Sequence, residues 1–136
     1  KREMKKIKLI LVLFGLLSFS TVMSQTNELV VHVCGILTYQ DGRLEESSPA
    51  DFWLIMKPLQ ISIPQINFEI LIVNSRYEDQ PMEKGGTVSE YEAILVDDEN
   101  QKYAVLLTMM HYKDKSFIGV DWLNGVVIYY ILDKFY

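Results

Sequence analysis

From Leu29 onward the chain alternates short apolar runs with clusters of glycine, proline, asparagine and aspartate. That rhythm belongs to strands joined by turns, because helices would need longer runs repeating every three to four residues. The first run, Leu29 to Tyr39, ends at the turn residues Gln40-Asp41-Gly42-Arg43. Ser47 to Pro58 reads two ways. Ser48-Pro49-Ala50-Asp51 has the form of a helix start, yet Phe52 to Met56 is bulky, short and stopped by Lys57-Pro58. Its length and flanking prolines favour a strand. Leu59 to Ile63 and Ile66 to Val73 follow, parted by Pro64-Gln65, where a bend or bulge is expected because proline cannot donate to a ladder. Asn74 to Thr87 is the longest polar stretch, and its Pro81 and Gly85-Gly86 predict a loop.

From Val88 the pattern predicts a meander: Val88 to Val96, Tyr103 to Tyr112, Ser116 to Leu123 and Val126 to Leu132. Asn124-Gly125 is a strong hairpin signal, since both residues tolerate positive φ. A two-residue loop there sets Trp122 opposite Val127 and places Tyr129 on Trp122's face. Asp97-Asp98-Glu99-Asn100 invites a choice between a cation site and a turn. Calcium loops alternate their acids around a glycine, whereas consecutive carboxylates should diverge, so the turn is the better reading. A Glu99-Asn100 loop would set Asp97 against Lys102 and Val96 against Tyr103.

The expected fold is therefore all-β, a single antiparallel domain of roughly seven or eight strands. A sandwich, a curled sheet or a partly open barrel would each fit. One feature constrains the choice. Tyr103, Val105, Leu107 and Met109 line one face of a strand, but Ala104, Leu106, Met110 and Tyr112 make the other face apolar as well. Such strands need cover on both sides. A closed or nearly closed barrel gives that poorly unless its outside packs on a helix or a partner. A two-layer sandwich with some association, as in a homo-oligomer, or a sheet curled over the N-terminal segment gives it more easily.

Before Leu29 the pattern is different. A basic start (Lys1, Arg2, Lys5, Lys6, Lys8) leads into an apolar run to Phe19 and small residues near Ser24. This is the form of a secretory signal peptide, too short to span a bilayer, with Met4 as a natural initiator and cleavage after Ser24. It resembles the leaders of small exported proteins of Gram-negative bacteria. The expected destination is periplasmic, cell-surface or extracellular, with no stable membrane anchor once residues 1–24 are removed. Removal also changes the charge. Eight of the 13 basic residues but 17 of the 18 acidic ones lie beyond residue 24, giving −9 in place of −5. So acidic a domain repels phosphate backbones, which argues against nucleic acid as a partner.

The inventory for chemistry is thin. Cys34, the one cysteine, forms no internal disulfide and reads as a small buried hydrophobe in its strand. His32 and Cys34 would share a strand face, and His111 opposite them could complete a soft metal site; an ordinary strand histidine is the simpler reading. No nucleophile elbow, phosphate loop or zinc motif is present, so no catalytic residue, metal or cofactor is assigned. The aromatic residues Trp122, Tyr129 and Tyr130 are the candidates for a ligand or partner surface, with core packing as their other role. These readings favour an exported, non-enzymatic binding module for a protein or surface glycan. The alternative is a carrier whose barrel cavity, lined by Met109, Met110, Phe117 and tyrosines, holds a small apolar ligand.

Overall fold

The computed structural model describes residues 28–136, so the expected leader lies outside the described residues. Eight strands follow one another: β1 (Leu29–Gln40), β2 (Arg43–Lys57), β3 (Gln60–Ile63), β4 (Phe68–Pro81), β5 (Thr87–Val96), β6 (Lys102–Tyr112), β7 (Lys115–Asp121) and β8 (Val126–Phe135). A single 3-10 turn at Pro64–Ile66 occupies the bend that Pro64 marks. Each strand pairs antiparallel with the next, and β1 pairs with β8 from Val31–Phe135 to Gln40–Val126, closing the sheet into a barrel. The ambiguous Ser47 to Pro58 segment is strand as far as Lys57, and Pro58 opens the turn.

The interior follows from alternation. Val105, Leu107 and Met109 point inward beside Tyr91, Ala93 and Leu95 of β5 and Ile118 and Val120 of β7. Leu29, Val31, Val33, Leu54, Met56, Ile61, Ile70 and Leu132 fill the rest, so side chains occupy the barrel and leave no lumen. Phe68, Tyr103 and Trp122 pack edge to face across one end, with ring centroids 6.2 and 5.5 Å from Trp122.

Three local expectations are corrected. The polar stretch Asn74 to Thr87 is not a loop: β4 runs to Pro81, and the connection is residues 82–86. Polar side chains that suggested a loop instead pair across strands, Arg76 with Glu90 at 3.1 Å and Asn74 with Glu92 at 3.3 Å. Register shifts between Ile72 and Gln80 absorb the irregular pattern.

Both hairpin registers slip by one residue. Val96 faces Lys102 and Leu95 faces Tyr103, and the loop is closed by the Asp97 N–H donating to the Gln101 carbonyl at 3.0 Å. The Asp97 carboxylate causes this by accepting the N–H groups of Glu99 and Gln101 at 2.9 and 2.8 Å, while Asn100 takes the left-handed conformation at φ 64°. Asp97 is thus a turn-former and does not face Lys102. At the other turn Asp121 faces Val127, and Leu123 joins the loop at φ 63°, held by its N–H donating to Asp121. That slip moves Trp122 from Tyr129's face to Tyr130's, inside the barrel.

Cys34 is half-buried, not buried, because β1 changes register between Val33 and Gly35 on both of its sides. β2 meets β3 only through Ile55–Lys57, so its upper edge lacks a partner strand among the described residues. Glu45, Glu46 and Pro49 lie along that edge, residues that discourage another strand from adding to it.

Candidate functional site: an apolar groove on the outside of the barrel

The second apolar face of β6 has a destination. Met110 and Tyr112 point outward, as do Phe117 of β7, Val127 and Tyr129 of β8, and Leu37 and Tyr39 of β1. With Met82, Lys84 and Gly85 of the β4–β5 loop and Gly42, they line a groove of about 670 Å³ on the barrel's outer surface. Small-molecule sites occupy roughly 300–1,000 Å³. By contrast, the pocket between Met56, Ser89, Met109, Ser116 and Leu132 is about 20 Å³, room for a single water.

Local sequence explains the shape. Gly119 gives the Tyr129 ring a bed: a Cβ there would lie 2.7 Å from the ring's Cε1 atom. Tyr39 meets the same ring edge-on at 5.6 Å and 88°. Burial raises the pKa of the Tyr129 hydroxyl, and Tyr39, Asp121 and Glu90 push it further in the same direction. The loop wall is fixed by Gly86, whose φ of 84° and closeness to the His111 carbonyl leave no space for a side chain.

The three aromatic candidates are not brought together. Tyr129 lies in the groove; Trp122 packs at the barrel end; Tyr130 is buried inside, edge-on to Phe52 at 6.1 Å. Of the residues proposed for an interior cavity, Met109 does point in, but Met110 and Phe117 point out. Sequence reading missed Leu37, Tyr39 and Met82. For Leu37 and Tyr39 the signal was the outward half of a strand whose inward half was already apolar; Met82, in the β4–β5 loop, carried none.

Nor do His32, Cys34 and His111 form a metal site. His111 Nδ1 is 3.0 Å from Ser116 Oγ. His32 lies on the outer face between two carboxylates, with Nδ1 2.7 Å from Asp133 of β8 and Nε2 2.6 Å from Asp51 of β2. Trp53 covers the ring at 4.7 Å. Carboxylates only accept, so both nitrogens donate and the ring is an imidazolium pinning three strands at the closing seam. Hydrogen bonds from Asp51 and then Asp133 raise its pKa above 6.5. A raised folded-state pKa means the stabilisation is complete below pH 6.5 and fades as pH rises through the folded value. Melting temperature should therefore fall as pH rises from 6.5 through that raised value, and His32→Gln should flatten that slope. An unchanged slope in His32→Gln would remove the pin from the account.

The acidic turn departs from expectation in one respect: Asp97, Asp98 and Glu99 can each place a carboxylate oxygen within 4.8 Å of the others. The tight turn, with the Asn100 N–H donating back to the Asp97 carbonyl at 3.1 Å, curls them to one side. Asp97 is already engaged by two backbone N–H groups and the Tyr103 hydroxyl, at 3.1 Å from the latter. Partial desolvation raises its pKa, but the donors of Gln101, Glu99 and Tyr103 outweigh this and hold it below the usual value. Its role is accounted for by the turn.

No protein-family model, curated protein or solved structure matches this chain. The groove therefore has to be read from its own chemistry.

Proposed function

We propose that this chain is an exported, non-enzymatic binding protein that holds an apolar ligand in the groove on its outer surface. The observation that carries the reading is the groove itself. Leucine, valine, methionine, phenylalanine and tyrosine side chains surround a volume suited to a small molecule, on a barrel whose interior is filled. A carrier with an internal cavity would need space that Leu107, Tyr91 and their neighbours already occupy. Sugar rings stack on aromatic faces but also need polar partners for their hydroxyls, which this lining scarcely offers. Methionines at two points of the wall adapt to ligands of differing shape.

A second reading follows from where the groove lies. Being on the surface, it is also accessible to an apolar segment of a partner protein, and half-buried aromatic residues are typical anchors for such contacts. Titration with dodecan-1-ol and with an uncharged apolar peptide, followed by amide chemical-shift mapping, tests both. Shifts clustered at Leu37, Met110, Phe117 and Tyr129 are expected. Met110→Glu should weaken binding at least about tenfold, since an apolar ligand leaves the new charge desolvated and unpaired. Because Met110 faces outward, its melting temperature should change little. Saturable binding that Met110→Glu leaves intact would place the ligand elsewhere and end this reading.

A further inference from the structure

The charge in the groove wall is of the opposite sign to the domain. Residues 28–136 carry 17 acidic and eight basic side chains, yet Lys84 is the only charged residue lining the groove. A second ammonium is close by: Lys113 Nζ lies 5.2 Å above the ring of Tyr112, itself part of the wall. Among the described residues, the ion pairs are His32 with Asp51 and Asp133, Lys57 with Glu28, and Arg76 with Glu90. Neither Lys84 nor Lys113 is in them. Two lysines that make no ion pair with a carboxylate thus lie at or next to this one end of the groove.

The groove is also polarised along its length. Its Lys84 end is formed by Met82, Lys84 and Gly85 of the loop and by Tyr112. Further along, at Tyr129, burial first and then the nearby Tyr39, Asp121 and Glu90 disfavour negative charge. Beyond Tyr129 the wall is Tyr39, Leu37 and Val127, with no charged side chain in the lining.

We propose that the groove's ligand is a single-chain amphiphile with an acidic head group, of the fatty-acid type. Its head meets Lys84, with Lys113 beside it, and its tail runs along Met110, Phe117 and Tyr129. This rests on the reading of the groove as an apolar-ligand site and adds the head-group chemistry. The tail supplies most of the affinity, through the methylenes it removes from water. Lys84 supplies direction and selects anion over neutral head. Its exposed setting makes that selectivity dependent on salt.

Calorimetric titration of the full chain with dodecanoate and with dodecan-1-ol, both below their aggregation concentrations, separates the two claims. Dodecanoate should bind at least about tenfold more tightly at low salt, with the gap narrowing in 1 M salt. Lys84→Glu should remove that preference, weakening dodecanoate far more than dodecan-1-ol, and Lys84→Arg should keep it. Equal affinity for acid and alcohol, or a preference that survives Lys84→Glu, overturns the head-group assignment but leaves the groove reading standing. If neither probe binds, both fall. Pelleting with vesicles of anionic phospholipid in the absence of dodecanoate binding would likewise overturn the single-chain ligand, pointing to a membrane surface.

Discussion

Gly86→Ala should lower the stability of the domain by about 3 kcal/mol and its melting temperature by roughly 10–20 °C. Two costs combine. Gly86 has a φ of 84°, a conformation that L side chains rarely adopt. An added Cβ would also collide with the His111 carbonyl oxygen and lie 3.1 Å from the Tyr112 Cα. Backbone cannot step aside as a side chain can. Gly42→Ala is the matched control, having a similar φ of 83° but nothing within 4 Å of its Cβ. It should lose only about 1 kcal/mol, the conformational part. Thermal denaturation of both variants reads the difference, and equal losses would mean that the crowding at Gly86 is relieved by loop movement. Gly86 also anchors the loop that carries Met82 and Lys84, so any variant that folds should bind its ligand more weakly.

Leu107→Ala should cost about 2–5 kcal/mol, the range for emptying a leucine site in a rigid core. Leu107 is 0% exposed and faces Tyr91 and Val120 across its two ladders. Chemical denaturation measures the loss. The variant also bears on function. A void of that kind is lined by apolar atoms and stays dry, so it can take up a small apolar probe. In the unaltered protein such a probe should report the outer groove alone, through Met110 and Phe117. Probe shifts at Tyr91 and Val120 in the unaltered protein would show that the interior is looser than its packing indicates.

Much of the fold was legible because each strand carries its period-two alternation and most turns carry their own chemistry. Asp41-Gly42 and Asn100 adopt the positive φ that their residue types permit. What failed were one-residue decisions. Asp97 and Asp121 each use a carboxylate to hold a longer loop, and a side-chain hydrogen bond of that sort leaves no trace in hydrophobic pattern. A slip of one residue then reverses which aromatic faces inward, so Trp122 and Tyr129 part company. The groove was visible only as a puzzle, the outward apolar half of β6. Pattern can say that such a face needs cover, but not that four neighbouring strands share it, because barrel closure joins β8 to β1 across most of the sequence.

That closure has a kinetic consequence. Seven of the eight strand pairings join consecutive strands and can form locally, with little chain to organise. The eighth is different: His32 and Asp133 are 101 positions apart, and their contact exists only once the ends of the sheet meet. Loop closure over that distance comes late, after the hairpins have assembled. The β1–β8 seam is then expected to be the last part of the barrel to form. Changes there should accelerate unfolding while leaving the rate of folding nearly untouched, the behaviour of contacts absent from the transition state. Tyr39 and Leu37 stand on one side of this seam, with Tyr129 and Val127 on the other. The groove is therefore completed only when the seam closes, and a chain that has not closed has no site.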